Sequence, residues 1–250
     1  MSGDSSSQLT IVGFGRLGRT VEQQLRAKGW TLRVCRRGDT IPASPLTYLT
    51  VPDAQVADVA RQVPHGGILL HASGALGLDV LAPHAQTGSL HPLMSFPGPE
   101  LARPMGTIPA AVAGTDSARA AAQTLASALG WTPFEVQGDR RLYHAAAVMA
   151  GNFGTTLLHE AAQILSRAGV PPDVAPGLLA PLAIASIQNA SAVGPARSLT
   201  GPVARGDTAV IDGHRDALAT DPRVQALYDA LVEATELMKT KEVSTISPED

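Results

Sequence analysis

Gly13-Phe14-Gly15-Arg16-Leu17-Gly18 sets three glycines at the spacing that lets a backbone close on a pyrophosphate. Gly13 permits the tight turn, Gly15 lets the main chain approach the phosphates, and Gly18 lets the following helix pack against the preceding strand. A helix starting near Arg16 would aim its unpaired N–H groups and positive dipole end at such a group. A plain glycine turn in an α/β protein is the alternative. The context favours the nucleotide, since the apolar run Leu9-Thr10-Ile11-Val12 leads in and a helical period leads out. Arg36 and Arg37 follow Gly18 by 18 and 19 residues, with no carboxylate until Asp39. An acidic residue there would bind the ribose 2′-hydroxyl of NAD, whereas two guanidiniums suit the 2′-phosphate of NADP. NADP is therefore the expected cofactor; a solvated arginine pair is the plainer reading. Val51-Pro52 is expected on the adenosine side, with Asp53 as a helix N-cap. Ser73 and Gly74 are expected to border the nicotinamide.

Carbonyl reduction needs a proton donor beside the oxygen. The three lysines, Lys28, Lys239 and Lys241, stand in the first helix and near the tail, away from the carboxyl ends of the strands. Histidine, tyrosine, aspartate or water remains. His71 and His91 both end strands, and Pro92 would turn His91 toward the opening; a structural role bonded to backbone is the alternative for each. His144 and Asn152 share one expected helix and project within about 80° of each other. His91 and Asn152 are the expected catalytic pair. Leu199-Thr200-Gly201-Pro202-Val203-Ala204-Arg205-Gly206-Asp207 concentrates bending residues with a hydroxyl, a guanidinium and a carboxylate. Thr200, Gly201, Arg205 and Asp207 are expected to bind a substrate carboxylate. An interhelical turn with an Arg205–Asp207 surface pair is the alternative. No histidine pair has metal-ligand spacing, so no metal is expected.

Apolar runs at 9–12, 31–35, 46–51, 68–71, 87–90, 108–113 and 133–136 alternate with helical stretches at 17–28, 53–63, 78–84 and 116–129. That alternation predicts an α/β fold with a doubly wound parallel Rossmann sheet over residues 1–138. Helical runs at 142–168, 174–192 and about 217–239 predict an all-α second domain over 139–250. Met1–Ser7 and Val243–Asp250 are polar and expected to be loose. The 250 residues carry 44% hydrophobic and 16% charged side chains, enough for a buried core, and a net charge of −3 offers no basic field for nucleic acid or anionic lipid. With one cysteine, Cys35, there is no internal disulfide, and no basic-plus-apolar leader opens the chain, so a cytoplasmic location is expected. Val174–Ala196 lacks charge but is broken by Pro176, Pro181, Gly194 and Pro195. It reads as a helix buried in a core or at a twofold dimer interface, not a membrane span.

The glycine turn, His71-Ala72-Ser73-Gly74-Ala75, Leu90-His91-Pro92-Leu93 with Phe96, and Leu199-Thr200-Gly201-Pro202 with Arg205-Gly206-Asp207 together resemble a group of predicted oxidoreductases. Those proteins join a Rossmann-like domain to a C-terminal domain of unknown function. More distantly the layout is similar to pyrroline-5-carboxylate reductase, ketopantoate reductase and the 6-phosphogluconate dehydrogenase class. The resemblance implies NADP binding, a helical C-terminal domain of the 6-phosphogluconate dehydrogenase type that dimerises, and a substrate pocket between the domains. Asn152 matches an active-site asparagine of that class, but the lysine one turn earlier falls at Val148. The expected function is an NADP-dependent reductase of a small carboxylated ketone or imine. An NADP(H)-binding redox sensor without turnover is the alternative, and a deazaflavin-dependent enzyme a third.

Overall fold

The computed structural model describes residues 9–98 and 107–243; the ends expected to be loose lie outside them, Val243 excepted. Seven strands form one sheet: β1 (Leu9–Val12), β2 (Leu32–Cys35), β3 (Leu46–Leu49), β4 (Ile68–His71), β5 (Thr87–Pro92), β6 (Ile108–Gly114) and β7 (Trp131–Glu135), in the order β2-β1-β3-β4-β5-β6-β7. The first five run parallel, with Leu9 beside Leu32 and Leu46, and Leu49 beside His71. The doubly wound sheet is thus present. β6 nevertheless returns antiparallel to β5, Leu90 facing Val112, and β7 follows β6 in parallel. Both strand types have the same two-residue period, so the direction of a strand is not written in its pattern.

Side chains alternate between two cores, one on each face. Leu9, Ile11, Tyr48, Leu70 and Leu90 pack with Val21 and Leu25 of α1 (Arg16–Ala27) and with Ala118, Ala122 and Leu125 of α3 (Asp116–Leu129). Val12, Leu49 and Leu69 turn the other way, onto Val56 and Ala60 of α2 (Asp53–Ala60) and Leu81 of a 3₁₀ turn at Asp79–Leu81. Buried Tyr48 keeps its hydroxyl satisfied by donating to the Leu90 carbonyl at 2.6 Å. Asp53 is not the cap of α2: Pro52 holds that position, and the Asp53 carboxylate is turned to Ser73.

The single helix expected over 142–168 is two, α4 (Arg140–Ala150) and α5 (Asn152–Arg167), divided at Gly151. Gly151 leaves ideal helical geometry at ψ −70°, while Asp139 caps the start of α4 by accepting the Arg141 N–H. His144 and Asn152 therefore stand on different helices, and the angle expected between them along one helix does not apply. Further helices are α6 (Ala175–Val193), α7 (Pro195–Ser198), α8 (Pro202–Arg205), α9 (Thr208–Leu218) and α10 (Pro222–Val243). The helix expected from about Ala217 is interrupted because Pro222 disfavours helical geometry in the residue before it; Asp221 then caps α10 through the Val224 N–H.

The chain divides into two compact units, Met1–Phe153 and Gly154–Asp250. No helix among the described residues is long and apolar enough to cross a membrane. In the single chain α6 is not buried: Leu182 and Ile187 are 66% and 65% exposed.

Candidate functional site

At the carboxyl end of β1 the chain turns at Gly13, whose φ of 107° lies in the left-handed region. The turn is clamped to the end of β3. The Thr50 hydroxyl donates to the Gly13 carbonyl at 2.9 Å, and the Thr50 N–H donates to the Val12 carbonyl at 2.8 Å. A Cβ on Gly18 would stand 2.3 Å from the Gly13 oxygen and 2.7 Å from Thr50 Oγ1, so only glycine brings α1 this close. The α1 N-terminus has Gly15 as its cap, no side-chain cap and no acidic residue in its first turn. A helix start of this kind can receive an anion.

Two cavities flank this turn. The first, about 570 Å³, is lined by Gly13–Gly15, Arg36, Arg37, Val51 and Pro52. The Arg36 guanidinium lies 4.5 Å over the Phe14 ring, and Asp39, which also lines the cavity, accepts the Arg36 N–H at 2.8 Å. The second, about 650 Å³, is lined by Arg16, His91, Phe96, Tyr143, His144 and Asn152 among others. Gly15 faces one and Arg16 the other, so the helix terminus stands between them. Leu17 packs into the core instead of facing either.

His91 ends β5 with its Nδ1 2.6 Å from the Tyr143 hydroxyl, the two rings edge to face. The His144 ring centre is 6.1 Å away. A Cβ on Gly74 would fall 2.8 Å from His144 Cδ2 and 2.9 Å from His91 Nε2, so glycine keeps this corner clear. Burial, then His144 and Arg140, push the His91 pKa down to about 4, which leaves a neutral imidazole at neutral pH.

Ser73 is fully engaged. Its hydroxyl donates to Asp53 at 2.7 Å and accepts the N–H groups of Ala75 and Leu76, and its carbonyl accepts from Arg140 at 2.9 Å. Its own N–H donates to His71 Nδ1 at 3.1 Å. Ser73 thus holds the loop that carries Gly74. Buried His71 accepts this backbone N–H of Ser73, the kind of contact its structural alternative expects, while its Nε2 has no partner among the described residues.

Burial, followed by Arg140, lowers the His71 pKa to about 4. The unfolded chain then binds more protons than the folded one between about pH 6.5 and 4, so stability falls as pH falls through that window and is complete above it. His71 is expected to contribute roughly 3 kcal/mol of that loss. Urea midpoints at pH 7.5 and 4.5 should differ less in His71→Asn than in the wild type; an equal difference would remove His71 as the cause.

In the second unit, Gly201 (φ 92°) caps α8 and Asp207 caps α9 by accepting the Val210 N–H. Thr200 and Arg205 are exposed. Arg205 and Asp207 do not form the surface pair, and among the described residues Arg205 has no carboxylate partner. Lys239 donates to the Val203 carbonyl at 2.8 Å and Lys28 to that of Ala128 at 2.6 Å.

Sequence reasoning missed Tyr143, Arg140 and Thr50. Tyr143 and Arg140 act across 52 and 67 residues of chain, and nothing in their local pattern marks them.

The description of a Rossmann-like domain matches residues 10–97, and that of the domain of unknown function DUF2520 matches residues 108–235. No curated protein matches. Among solved structures, the chain is similar to a candidate NADP oxidoreductase, BF3122, from Bacteroides fragilis (TM-score 0.77, 21% identity, covering 92% of this chain and 98% of that one). It is also similar to protein TM1727 from Thermotoga maritima (0.75, 24%, 94% and 99%). A third is a reductive aminase from Aspergillus terreus in complex with NADPH and ethyl levulinate (0.68, 19%, 92% and 93%).

Proposed function

We propose, on the premise that this chain belongs to the DUF2520 family, that it is an NADP-dependent oxidoreductase reducing a small carboxylated ketone or imine. The observation that carries the reading is the α1 N-terminus, with no side-chain cap, standing between two cavities, one bearing Arg36 and Arg37 and the other His91, Tyr143 and Asn152. A dinucleotide has that division: an adenosine half, a central pyrophosphate and a reactive half. The candidate NADP oxidoreductase and the NADPH-bound reductive aminase among the similar structures support the same cofactor and chemistry.

Gly13, Gly15 and Gly18 hold the pyrophosphate, Arg36 and Arg37 the 2′-phosphate, and Phe14, Val51 and Pro52 the adenosine side. Gly74 borders the nicotinamide, with Ser73 setting its position. NADPH, when bound, supplies a hydride to the substrate carbon. His91, neutral and with Nδ1 on Tyr143, offers Nε2–H to a carbonyl oxygen; a protonated imine needs no such donor. Asn152 orients the substrate, and Thr200, Gly201, Asp207 and above all Arg205 recognise its carboxylate. The exposed apolar face of α6 is covered by a second copy of the chain in a twofold dimer.

A sensor that binds NADP(H) without turnover is favoured by two facts. Lys28 and Lys239 are both tied to carbonyls away from these cavities, and His91, neutral at neutral pH, holds no imidazolium proton to give. Fluorescence titration with NADPH and NADH side by side, then an absorbance screen of small keto and imino acids, separates the readings. NADPH preference with turnover is expected, in a preparation that sediments as a dimer. Tight NADPH binding with no turnover on any acceptor would select the sensor, and binding of neither nucleotide would end both.

A further inference from the structure

We infer that Tyr143, His91 and Arg140 form a proton relay in which Tyr143 sets the His91 tautomer and resupplies its proton. The inference rests on the reductase reading above. Tyr143 lies in the first turn of α4 and His91 at the end of β5, and the 2.6 Å contact from hydroxyl to Nδ1 is short for a neutral pair. A phenol that is partly buried needs an acceptor for its proton. Among the described residues His91 Nδ1 is the only hydrogen-bond partner of the Tyr143 hydroxyl. The phenol therefore donates to Nδ1, and the single proton of the neutral imidazole sits on Nε2. Nε2 is the nitrogen beside Gly74, at the corner that a side chain there would fill.

Arg140 completes the unit. It precedes Tyr143 by three residues on the same helix, the spacing of side-chain neighbours. Its Nη2 donates to the Ser73 carbonyl at 2.9 Å, its buried Nε has no hydrogen-bond partner, and no described carboxylate pairs with it. Such a guanidinium, partly buried and without a carboxylate, favours a negative charge nearby.

The step balances. As the substrate carbon is reduced, its oxygen takes the proton from Nε2: that N–H breaks and the O–H forms. At the same time the Tyr143 O–H breaks and the Nδ1–H forms, so no imidazolate arises. The charge passes to the Tyr143 oxygen, where Arg140 opposes the cost of burying it; water then protonates Nε2 as the Nδ1 proton returns to that oxygen, which restores the starting tautomer. Tyr143 is thus a positioning residue that acts through His91.

The test uses the full-length protein labelled with ¹⁵N in its imidazoles. Long-range ¹H–¹⁵N spectra should show His91 as a single Nε2–H tautomer in the wild type and as a mixture of tautomers in Tyr143→Phe. With levulinate as the ketone, kcat should fall ~100-fold in Tyr143→Phe, with KM and NADPH affinity unchanged. Retained NADPH affinity also shows that the variant is folded. An Nδ1–H tautomer in the wild type, an unchanged tautomer in Tyr143→Phe, or an unchanged kcat overturns the relay. Failure of the wild type to bind NADPH is a separate result: it overturns the reductase reading, and the relay with it, whatever tautomer is observed.

Discussion

Gly18→Ala is expected to lose NADPH binding by at least ~100-fold and to destabilise the first unit by about 2 kcal/mol. The methyl group would lie 2.3 Å from a backbone oxygen, Gly13 O, and 2.7 Å from Thr50 Oγ1. A backbone contact is not relieved by a rotamer change. Either α1 retreats from the strand, or the Gly13 turn opens and breaks its hydrogen bond from Thr50. Each outcome displaces the N–H groups proposed to face the pyrophosphate. Gly15→Ala is the matched control. Nothing lies within 4 Å of its added Cβ, and its φ of −76° suits any residue. Gly15→Ala should therefore keep the wild-type urea midpoint and lose only nucleotide affinity, because its methyl occupies the space in which the phosphates approach. Equal midpoints for wild type and Gly18→Ala would show that the turn yields more easily than its contacts imply.

The double variant Arg36→Ala plus Arg37→Ala is expected to weaken NADPH by ~10³-fold and NADH by less than ~3-fold. A charge-assisted hydrogen bond to phosphate is worth about 1.5–3 kcal/mol, or roughly ten- to a hundred-fold per arginine. NADH lacks the 2′-phosphate and forfeits nothing there. The structure adds an asymmetry between the two residues. Arg36 is stacked on Phe14, whereas the Arg37 side chain has no partner among the described residues. Arg37→Ala alone should act on NADPH only, while Arg36→Ala should also loosen Phe14 and weaken both nucleotides slightly. Parallel fluorescence titrations at low and moderate salt resolve this, and the preference for NADPH should shrink as salt rises. Equal losses for the two nucleotides would remove the 2′-phosphate assignment and leave the pyrophosphate turn untouched.

Both expectations concern features that are local in the chain. A glycine turn between an apolar strand and an amphipathic helix, and the residues that end the next strand, are set by backbone sterics and by side-chain period over about 30 residues. The amino-acid sequence alone therefore determined the parallel β1–β5 sheet, its two buried faces, the turn at Gly13–Gly18, and the place of Arg36, Arg37, Val51 and Pro52 around one cavity. The position of His91 at a strand end was legible for the same reason.

Tertiary structure decided the rest. The antiparallel return of β6 was not visible because strand direction leaves no mark on a two-residue period. The break at Gly151 put His144 and Asn152 on different helices, yet both line the second cavity, a result no helical wheel could supply. Asp53, by its type and place an ordinary helix cap, was drawn to Ser73 because the end of β4 lies beside the start of α2. The contacts from Tyr143 to His91 and from Arg140 to Ser73 join residues 52 and 67 positions apart. Their chemistry depends on which buried polar groups folding leaves within reach of one another, and that is a property of the packed chain, carried by no local pattern of residues.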